Sequence, residues 1–403
     1  MMTIDLYDPD TYTASVPHED FAILRREDPV HWQDMPGQAG YWAVLRHADV
    51  VHVSRHPELF SCEAGGVVVE DLDPERLARM RDMLLSMDPP RHIAYRKPLA
   101  PEFAQRVMAS MDEQIRAITN ETFDRAALAG DVEFVHDVVG PIPTQVIGQL
   151  FGLPEEDWAW LHRLAQMNTS GQDPDLNPDG DLSEAGSADS SIQMAMYGMA
   201  FAEARRSQDP RGDLMDVILG QQFDGRFLTD ADIGSMLVQM ITAGNDTTVT
   251  MMAGGLWALL EHPEQMELLR STPSALPSAV EEILRWFNPL HYFRRTATED
   301  VELRGSTIKA GDKVAMYYTS ANRDEEVFDD PQRFDITRSP NPHLSFGIGE
   351  HFCLGVHLAR LEGRIFFDEL LKRFSAIELI GEPERIRSNL NNGLKRLPVR
   401  LTV

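Results

Sequence analysis

Apolar and polar positions along this chain follow two different periods, and the change between them indicates where helices and strands lie. Residues 40–45 have the character of a strand, and a helix start follows at Arg46. Helical spacing then dominates from about residue 91 to residue 285. Short strand-like runs return after residue 286, at residues 301–303, 314–318 and 399–403. The pattern predicts a mainly α protein with small β-sheets.

Two stretches interrupt these patterns. Residues 61–90 show no sustained period and contain glycine and proline breakers, so they are expected to be irregular. Residues 168–190 combine glycines, prolines, acids and serines, which indicates a mobile loop between two helices. With no internal repeat and no linker, we expect one domain over residues 1–403. It would have a β-rich N-terminal part at about 1–60 and a helical core at about 91–285.

The longest predicted helix runs from a capping signature to a proline. Thr229 and Asp232 provide a hydroxyl followed three residues later by a carboxylate, and Pro263 ends the apolar stretch. At about 1.5 Å per residue this helix is roughly 50 Å long, enough to cross the molecule. Residues 243–248 in its middle contain a glycine and two threonines. Because threonine hydroxyls bond back to the preceding turn and bend helices, we expect the helix to open locally here.

Composition and charge exclude several classes of protein. The 403 residues are 43% hydrophobic and 25% charged, which is typical of a globular chain. The net charge of −27 argues against nucleic acid as a general partner, because phosphates would be repelled. Two distant cysteines argue against a disulfide framework and suit a reducing compartment. The acidic N-terminus and the lack of a long apolar run predict no membrane anchor and a cytoplasmic location.

One cysteine lies in a setting suited to metal binding. Cys353 is in a glycine-rich loop, residues 346–355, which runs into a helical pattern. A thiolate there can bind a metal, and the glycines let a flat ligand approach the backbone. The N–H of Gly355 would be a free donor near the sulfur at the helix start. Cys62 lies far away in sequence, and we interpret it as structural or incidental.

Two segments resemble motifs of the cytochrome P450 family. The loop resembles the haem-thiolate signature Phe-x-x-Gly-x-x-x-Cys-x-Gly, and residues 243–248 resemble the oxygen-activation motif Ala/Gly-Gly-x-Asp/Glu-Thr. The resemblance implies the P450 fold, a triangular α-rich single domain, with haem b bound through Cys353. It also implies further haem contacts, from Phe346, Gly347 and Gly355 in the loop and from Ala243 and Gly244 in the long helix.

The same resemblance assigns roles to other residues. Asp246 and Thr247 would be the catalytic acid–alcohol pair, because the reaction consumes protons that a carboxylate and a hydroxyl can deliver. The haem propionates need cationic partners. Four residues match family positions for this role: His92, Arg96, Arg295 and His351, with Arg294 as a rival to Arg295. Glu282, Arg285 and Arg333 would form a buried structural cluster behind the cysteine loop.

The substrate is expected to be a hydrophobic small molecule. Within the family the chain is most similar to soluble bacterial members that hydroxylate terpenes and sterol side chains. Stretches 61–90 and 160–200 would contribute to the pocket, because they are rich in flexible apolar side chains. The individual pocket residues expected are Met240, Ala243, Leu290 and Phe293.

The resemblance implies a haem-thiolate monooxygenase, a monomer that inserts one oxygen atom of O2 into a C–H bond. Electrons would come from NAD(P)H through a ferredoxin reductase and a ferredoxin. An acidic ferredoxin could dock on a basic patch formed by Arg91, Arg96, Lys97, Arg106, Arg360, Arg364, Lys372 and Arg373. Two alternatives remain open, a peroxide-driven peroxygenase and a non-catalytic haem-binding module. The Asp246–Thr247 pair argues against both.

Overall fold

The computed structural model describes residues 4–178 and 180–403. Residues 1–3 of the N-terminal stretch and residue 179 of the acidic loop lie outside the described residues. The helices are α1 (His18–Glu27), α2 (His47–Arg55), α3 (Pro74–Arg81), α4 (Arg91–Leu99), α5 (Gln105–Ala109), α6 (Asp112–Ala129), α7 (Pro141–Phe151), α8 (Trp158–Thr169), α9 (Ala188–Arg206), α10 (Leu214–Gly220), α11 (Asp230–Glu261), α12 (Pro263–Ser271), α13 (Leu276–Trp286), α14 (Tyr318–Ala321) and α15 (Val356–Arg373). Short 3-10 turns join several of them.

The strands are short and form small sheets beside the helices. They are β1 (Val30–Met35), β2 (Gln38–Val44), β3 (Phe60–Ser61), β4 (Asp131–Glu133), β5 (Tyr292–Ala297), β6 (Val301–Leu303), β7 (Ser306–Ile308), β8 (Lys313–Tyr317), β9 (Ala376–Leu379), β10 (Glu384–Arg385), β11 (Leu394–Arg396) and β12 (Pro398–Thr402). The largest sheet has the order β1-β2-β8-β5-β3, with β2 and β8 parallel. A mainly α architecture with small sheets was therefore predicted correctly.

Helix α11 is the centre of the helical part. Thr229 caps it, and the Thr229 N–H donates to Asp232 Oδ2 at 2.8 Å while the Thr229 hydroxyl accepts from the Asp232 N–H, which completes the predicted capping box. The helix spans 32 residues, or about 48 Å, and ends before Pro263. It packs against α7, α8, α9, α13 and α15 in the largest cluster of buried hydrophobic residues. This packing places residues 243–248 deep in the molecule.

Three regional predictions needed correction. Residues 61–90 are not wholly irregular, because Asp73 accepts hydrogen bonds from two backbone N–H groups and Pro74 begins α3. The first 60 residues contain more helix than strand, since α1 and α2 flank the β1–β2 hairpin. The helical core contains one strand, β4, which pairs with β12 from the end of the chain. Strand β4 has only three residues, too few for alternation to reveal.

The middle of α11 is also more regular than expected. The helix is unbroken from Asp230 to Glu261, so the predicted local opening at residues 243–248 is not present. The Thr247 hydroxyl does bond back, donating to the Ala243 carbonyl at 2.7 Å. Helices α7, α8, α9, α13 and α15 pack around α11, and this support accompanies the unbroken helical backbone. No described helix combines the length and apolar character required to cross a membrane.

Candidate active site

The cysteine loop is folded by its own backbone and by a close contact with α2. The Cys353 N–H donates to the Phe346 carbonyl at 2.9 Å, which closes the loop. Gly347 and Gly349 have φ values of 66° and 77°, in the region that favours glycine. A Cβ on Gly349 would also lie 2.6 Å from the Ser54 carbonyl oxygen. The glycine spacing of the loop is therefore required by both its conformation and its packing.

The sulfur of Cys353 is enclosed but electrostatically supported. Burial raises the pKa of the thiol, whereas the Gly355 N–H and the positive charges of Arg96 and Arg360 lower it. Arg96 also braces the loop, donating to the carbonyls of Glu350 and Phe352 at 3.2 and 2.5 Å. The arrangement favours a thiolate once a positive metal is bound, as second-shell partners do generally.

A cavity of about 230 Å³ lies between this loop and α11. Every residue predicted to contact the cofactor lines it: Cys353, His92, Arg96, Arg295, His351, Phe346, Gly347, Gly355, Ala243 and Gly244. They come from α4, β5, the cysteine loop and α11, so residues far apart in sequence converge on one space. Arg294, the rival of Arg295, points to the other side of β5 and donates to the carbonyls of Val68 and Glu70.

Two histidines and two arginines lie close together at one edge of this cavity. The rings of His92 and His351 lie 4.1 Å apart, beside Arg96 and Arg295. Burial, followed by the charges of the two arginines, lowers the pKa of His92 to about 4, and burial with Arg295, His92 and Arg96 lowers that of His351 to about 2. The Nδ1 atom of His92 is buried without a partner among the described residues. A cluster of this kind fits a ligand that carries two negative charges.

The comparisons with known proteins agree with this geometry. The family model described as Cytochrome P450 matches residues 274–402. A steroid C26-monooxygenase of Mycolicibacterium smegmatis is 36% identical over 99% of this chain and 93% of its own, and Cytochrome P450-terp of a Pseudomonas species is 36% identical over 95% and 92%. The chain belongs to the cytochrome P450 family. A solved P450 of Mycobacterium marinum in complex with pseudoionone has a TM-score of 0.91 and 35% identity, covering 99% of this chain and 98% of that one.

This P450 is accordingly a monooxygenase whose cofactor is haem b. The residues present fit that group. A buried sulfur faces the cavity, glycines leave room for a flat ring, and the cationic edge suits two propionates. Cys353 would hold the iron, and His92, Arg96, Arg295 and His351 would hold the propionates. When bound, haem supplies the chemistry of dioxygen activation.

The acid–alcohol pair lies on α11 where the haem-side cavity meets a second one. Thr247 lines both cavities, and Asp246 lines the second. The Asp246 carboxylate accepts from Asn245 Nδ2 at 2.8 Å and from the Thr169 hydroxyl of α8. Burial raises the pKa of Asp246 to about 6 despite these two bonds. Both protonation states are therefore accessible near neutral pH.

Behind the cysteine loop, the predicted charged cluster exists with one different member. Arg285 and Glu282 are buried and joined by two hydrogen bonds of 2.8 Å. The prediction was wrong about the Arg333 side chain, which is 63% exposed, although the Arg333 carbonyl accepts from Arg285. Arg338 takes the third place, with Nε 3.2 Å from Glu282 Oε2 and the side chain 10% exposed. The family resemblance assigned Arg333, and it could not separate two arginines five residues apart in the same turn-rich segment.

The second cavity, of about 280 Å³, extends from Thr247 towards the surface. Ala243, Leu290 and Phe293 line both cavities as predicted pocket residues, whereas Met240 lines only the haem-side cavity. The stretches 61–90 and 160–200 also contribute walls, mainly from α3 and α9. Gln239 was missed, although it lies one position before Met240 and borders both cavities.

Two further residues near the haem-side cavity were not anticipated. Glu362 of α15 is buried, and burial raises its pKa to about 8 because no described group pairs with its Oε2. Its position among Leu358, Leu361 and Ile365 on an apolar helix face was the available signal. Cys62 is distant in sequence but close in space, with Sγ 3.4 Å from His351 Nε2. Sequence separation concealed that contact.

The basic patch predicted for an acidic redox partner is partly neutralised by carboxylates of the same chain. Ion pairs join Arg91 to Asp82, Arg360 to Glu281, Lys372 to Asp368 and Arg373 to Asp124. Lys97 and Arg106 are exposed and form no ion pair within the described residues. The patch is therefore smaller than its sequence positions indicated.

Proposed function

We propose that this P450 hydroxylates a C–H bond of a hydrophobic small molecule of the sterol or terpenoid class. Electrons would come from NAD(P)H through a ferredoxin reductase and a ferredoxin. The relatives named steroid C26-monooxygenase and P450-terp, and the neighbour solved with pseudoionone, support this class. The observation that carries the proposal is the position of Thr247, which lines both the haem-side cavity and the largely apolar second cavity.

The residues of the chain bind and orient the substrate, and they supply protons to the reaction. The second cavity is walled mostly by aliphatic and methionine side chains, which would hold an apolar substrate and exclude bulk water. Asp246, with a pKa of about 6, can take a proton from water on the side of the second cavity and release it towards Thr247. Asn245 and Thr169 hold the carboxylate in place while it does so.

A reconstituted assay tests the electron source. Purified haem-loaded enzyme should form product from a sterol or terpene panel when NAD(P)H, ferredoxin reductase and ferredoxin are supplied together. Hydrogen peroxide alone should give little product. Equal or faster turnover with peroxide would favour the peroxygenase alternative. Replacement of Cys353 by serine should abolish the strongly red-shifted Soret band of the reduced enzyme under carbon monoxide.

The proton-delivery role of Thr247 has its own test. Thr247→Ala should retain substrate binding, but more of the NAD(P)H consumed should appear as hydrogen peroxide than as product. Thr247→Ser, which keeps a hydroxyl at the same position, should restore most of the coupling. The ratio of product to NAD(P)H is the measurement. An unchanged ratio in Thr247→Ala would contradict the proposed role.

A further inference from the structure

We propose that the outer end of the second cavity is a carboxylate-binding subsite built on Arg79. The substrate would then be an elongated apolar molecule with a terminal carboxylate, held so that its far end reaches Thr247. This inference rests on the proposed function, because that function places the reacting C–H bond of the substrate near Thr247. It adds the chemical class of the substrate's polar end, and with it the direction in which the substrate enters.

The cavity has one buried and one exposed end. Asp246 and Thr247 lie at the inner end, where Asp246 is buried beneath α8. The outer end lies between α3 and α9, and Arg79 of α3 is exposed there. Between the ends, the walls are formed largely by apolar side chains, including Met80, Met83, Val238, Ile192 and Met196. An extended apolar body fits this passage better than a compact polar one.

Two guanidinium groups lie at the outer end, and only one of them is engaged. Arg76 pairs with Glu184 and donates to the Gly186 carbonyl at 2.8 Å, so it ties α3 to the segment before α9. Arg79, one turn further along α3, has no carboxylate within 4.0 Å of its side chain among the described residues. Asp73, whose pKa is lowered by its backbone hydrogen bonds and in part by the Arg79 charge, is occupied as the cap of α3.

Arg79 differs from the arginines that lie close to it in sequence, which have hydrogen-bond or ion-pair partners. The chain has 64 acidic residues and 37 lysines and arginines, so most basic side chains can find a carboxylate. The neighbouring cations Arg81 and Arg91 are both held, by the Glu63 carbonyl and by Asp82. Arg79 therefore retains a fork of donors at the rim of an apolar cavity, and such a fork matches a carboxylate.

The inner end adds a second constraint on orientation. A substrate carboxylate there would be desolvated among aliphatic side chains and would lie beside Asp246, and both effects oppose binding. At the outer end it would remain hydrated and face Arg79. The two ends therefore select the same orientation, and the carbon presented to Thr247 is the one most distant from the carboxylate.

Hexadecanoic acid and methyl hexadecanoate provide the test, because they share the same chain and differ only at one end, where the ester has an added methyl group and no charge. Each is titrated into haem-loaded enzyme, and the dissociation constant is read from the spectral shift that accompanies displacement of water. The wild type should bind the acid more tightly than the ester. Arg79→Ala should weaken binding of the acid about fivefold and of the ester less than twofold, as expected for an exposed ion pair. Arg79→Lys should keep most of the preference, and 1 M salt should reduce it.

Arg125→Ala is the matched control, since Arg125 is an exposed arginine of α6 that does not line either cavity. It removes the same net charge and should leave the preference unchanged. Acid and ester binding equally to wild type, or weakening equally in Arg79→Ala, would overturn the subsite. The subsite would also be overturned if neither the hexadecanoic pair nor cholanic acid and its methyl ester produced the spectral shift. The proposed function would survive those results if reconstituted turnover of an uncharged substrate is observed.

Discussion

Two regions of this P450 contain a buried glutamate, but only one of these carboxyl groups has hydrogen-bond and ion-pair partners among the described residues. Behind the cysteine loop, Glu282 is fully buried and each of its oxygens is occupied, by Arg285, by Arg338, by Asn341 Nδ2 and by the Asp335 N–H. In the segment that precedes α3, two residues after Val68 of the second cavity, Glu70 is buried and neither of its oxygens has a partner among the described residues.

The difference indicates that the Glu282 cluster is a rigid support for the cysteine loop, whereas the region near the second cavity can adjust to a ligand. A saturated ion cluster stabilises one backbone arrangement, because any displacement would strand a buried charge. That suits the segment leading to Cys353, whose position must be constant. Near the second cavity, neither the Glu70 carboxyl group nor the Arg79 side chain pairs with an oppositely charged group among the described residues, so less free energy is lost when this region rearranges around a ligand. Four substitutions, in three experiments, test the contrast, from the largest expected effect to the smallest.

Glu282→Ala should have the largest effect. It leaves Arg285 buried without its carboxylate and removes the anchor of Arg338. The expected loss is about 3–5 kcal/mol in the free energy of unfolding, and little haem-loaded protein should be recovered. Haem content per chain and chemical denaturation are the measurements. Normal haem occupancy in this variant would refute the view that the cluster supports the cysteine loop.

Arg338→Ala and Arg333→Ala decide which arginine completes the cluster. Arg338→Ala should cost about 2 kcal/mol, because a charge-assisted hydrogen bond to Glu282 is lost inside the protein. Arg333→Ala should change stability by less than about 0.5 kcal/mol, since an exposed side chain 3.9 Å from Asp335 contributes little. Thermal denaturation of the two variants side by side makes the comparison. The reverse order would restore the original assignment of Arg333.

Glu70→Gln should alter how stability depends on pH. Burial raises the pKa of Glu70 to about 7, from 4.5, so the folded state favours the protonated form. That stabilisation is complete below the unfolded pKa and is lost as pH rises towards the folded pKa. Between pH 5.5 and 8.5 the wild type should therefore lose about 2 kcal/mol more than Glu70→Gln in urea unfolding. Parallel pH profiles for the two proteins would mean that Glu70 is already paired or hydrated.

Much of this P450 could be predicted from local sequence alone. The capping box at Thr229 and the proline at 263 define α11 almost to the residue, because both signals act within one helical turn. The residues predicted to contact haem all line one cavity, since motif spacing and backbone conformation determine the loop and the helix that present them. The short strand β4 and the helix α3 were missed, because three residues carry no period and a glycine-rich neighbourhood masked the Asp73 cap.

The sequence by itself determined the family and the long helix and predicted Cys353 as the metal ligand, because each depends on residues close together along the chain. Only the tertiary structure decided that Arg338 and not Arg333 contacts Glu282, that Cys62 approaches His351, and that Arg79 lies at a cavity rim. These are choices among chemically equivalent side chains. Each contact depends on how backbone segments that are distant in sequence pack together in the fold, and the chemistry of a side chain does not specify that packing.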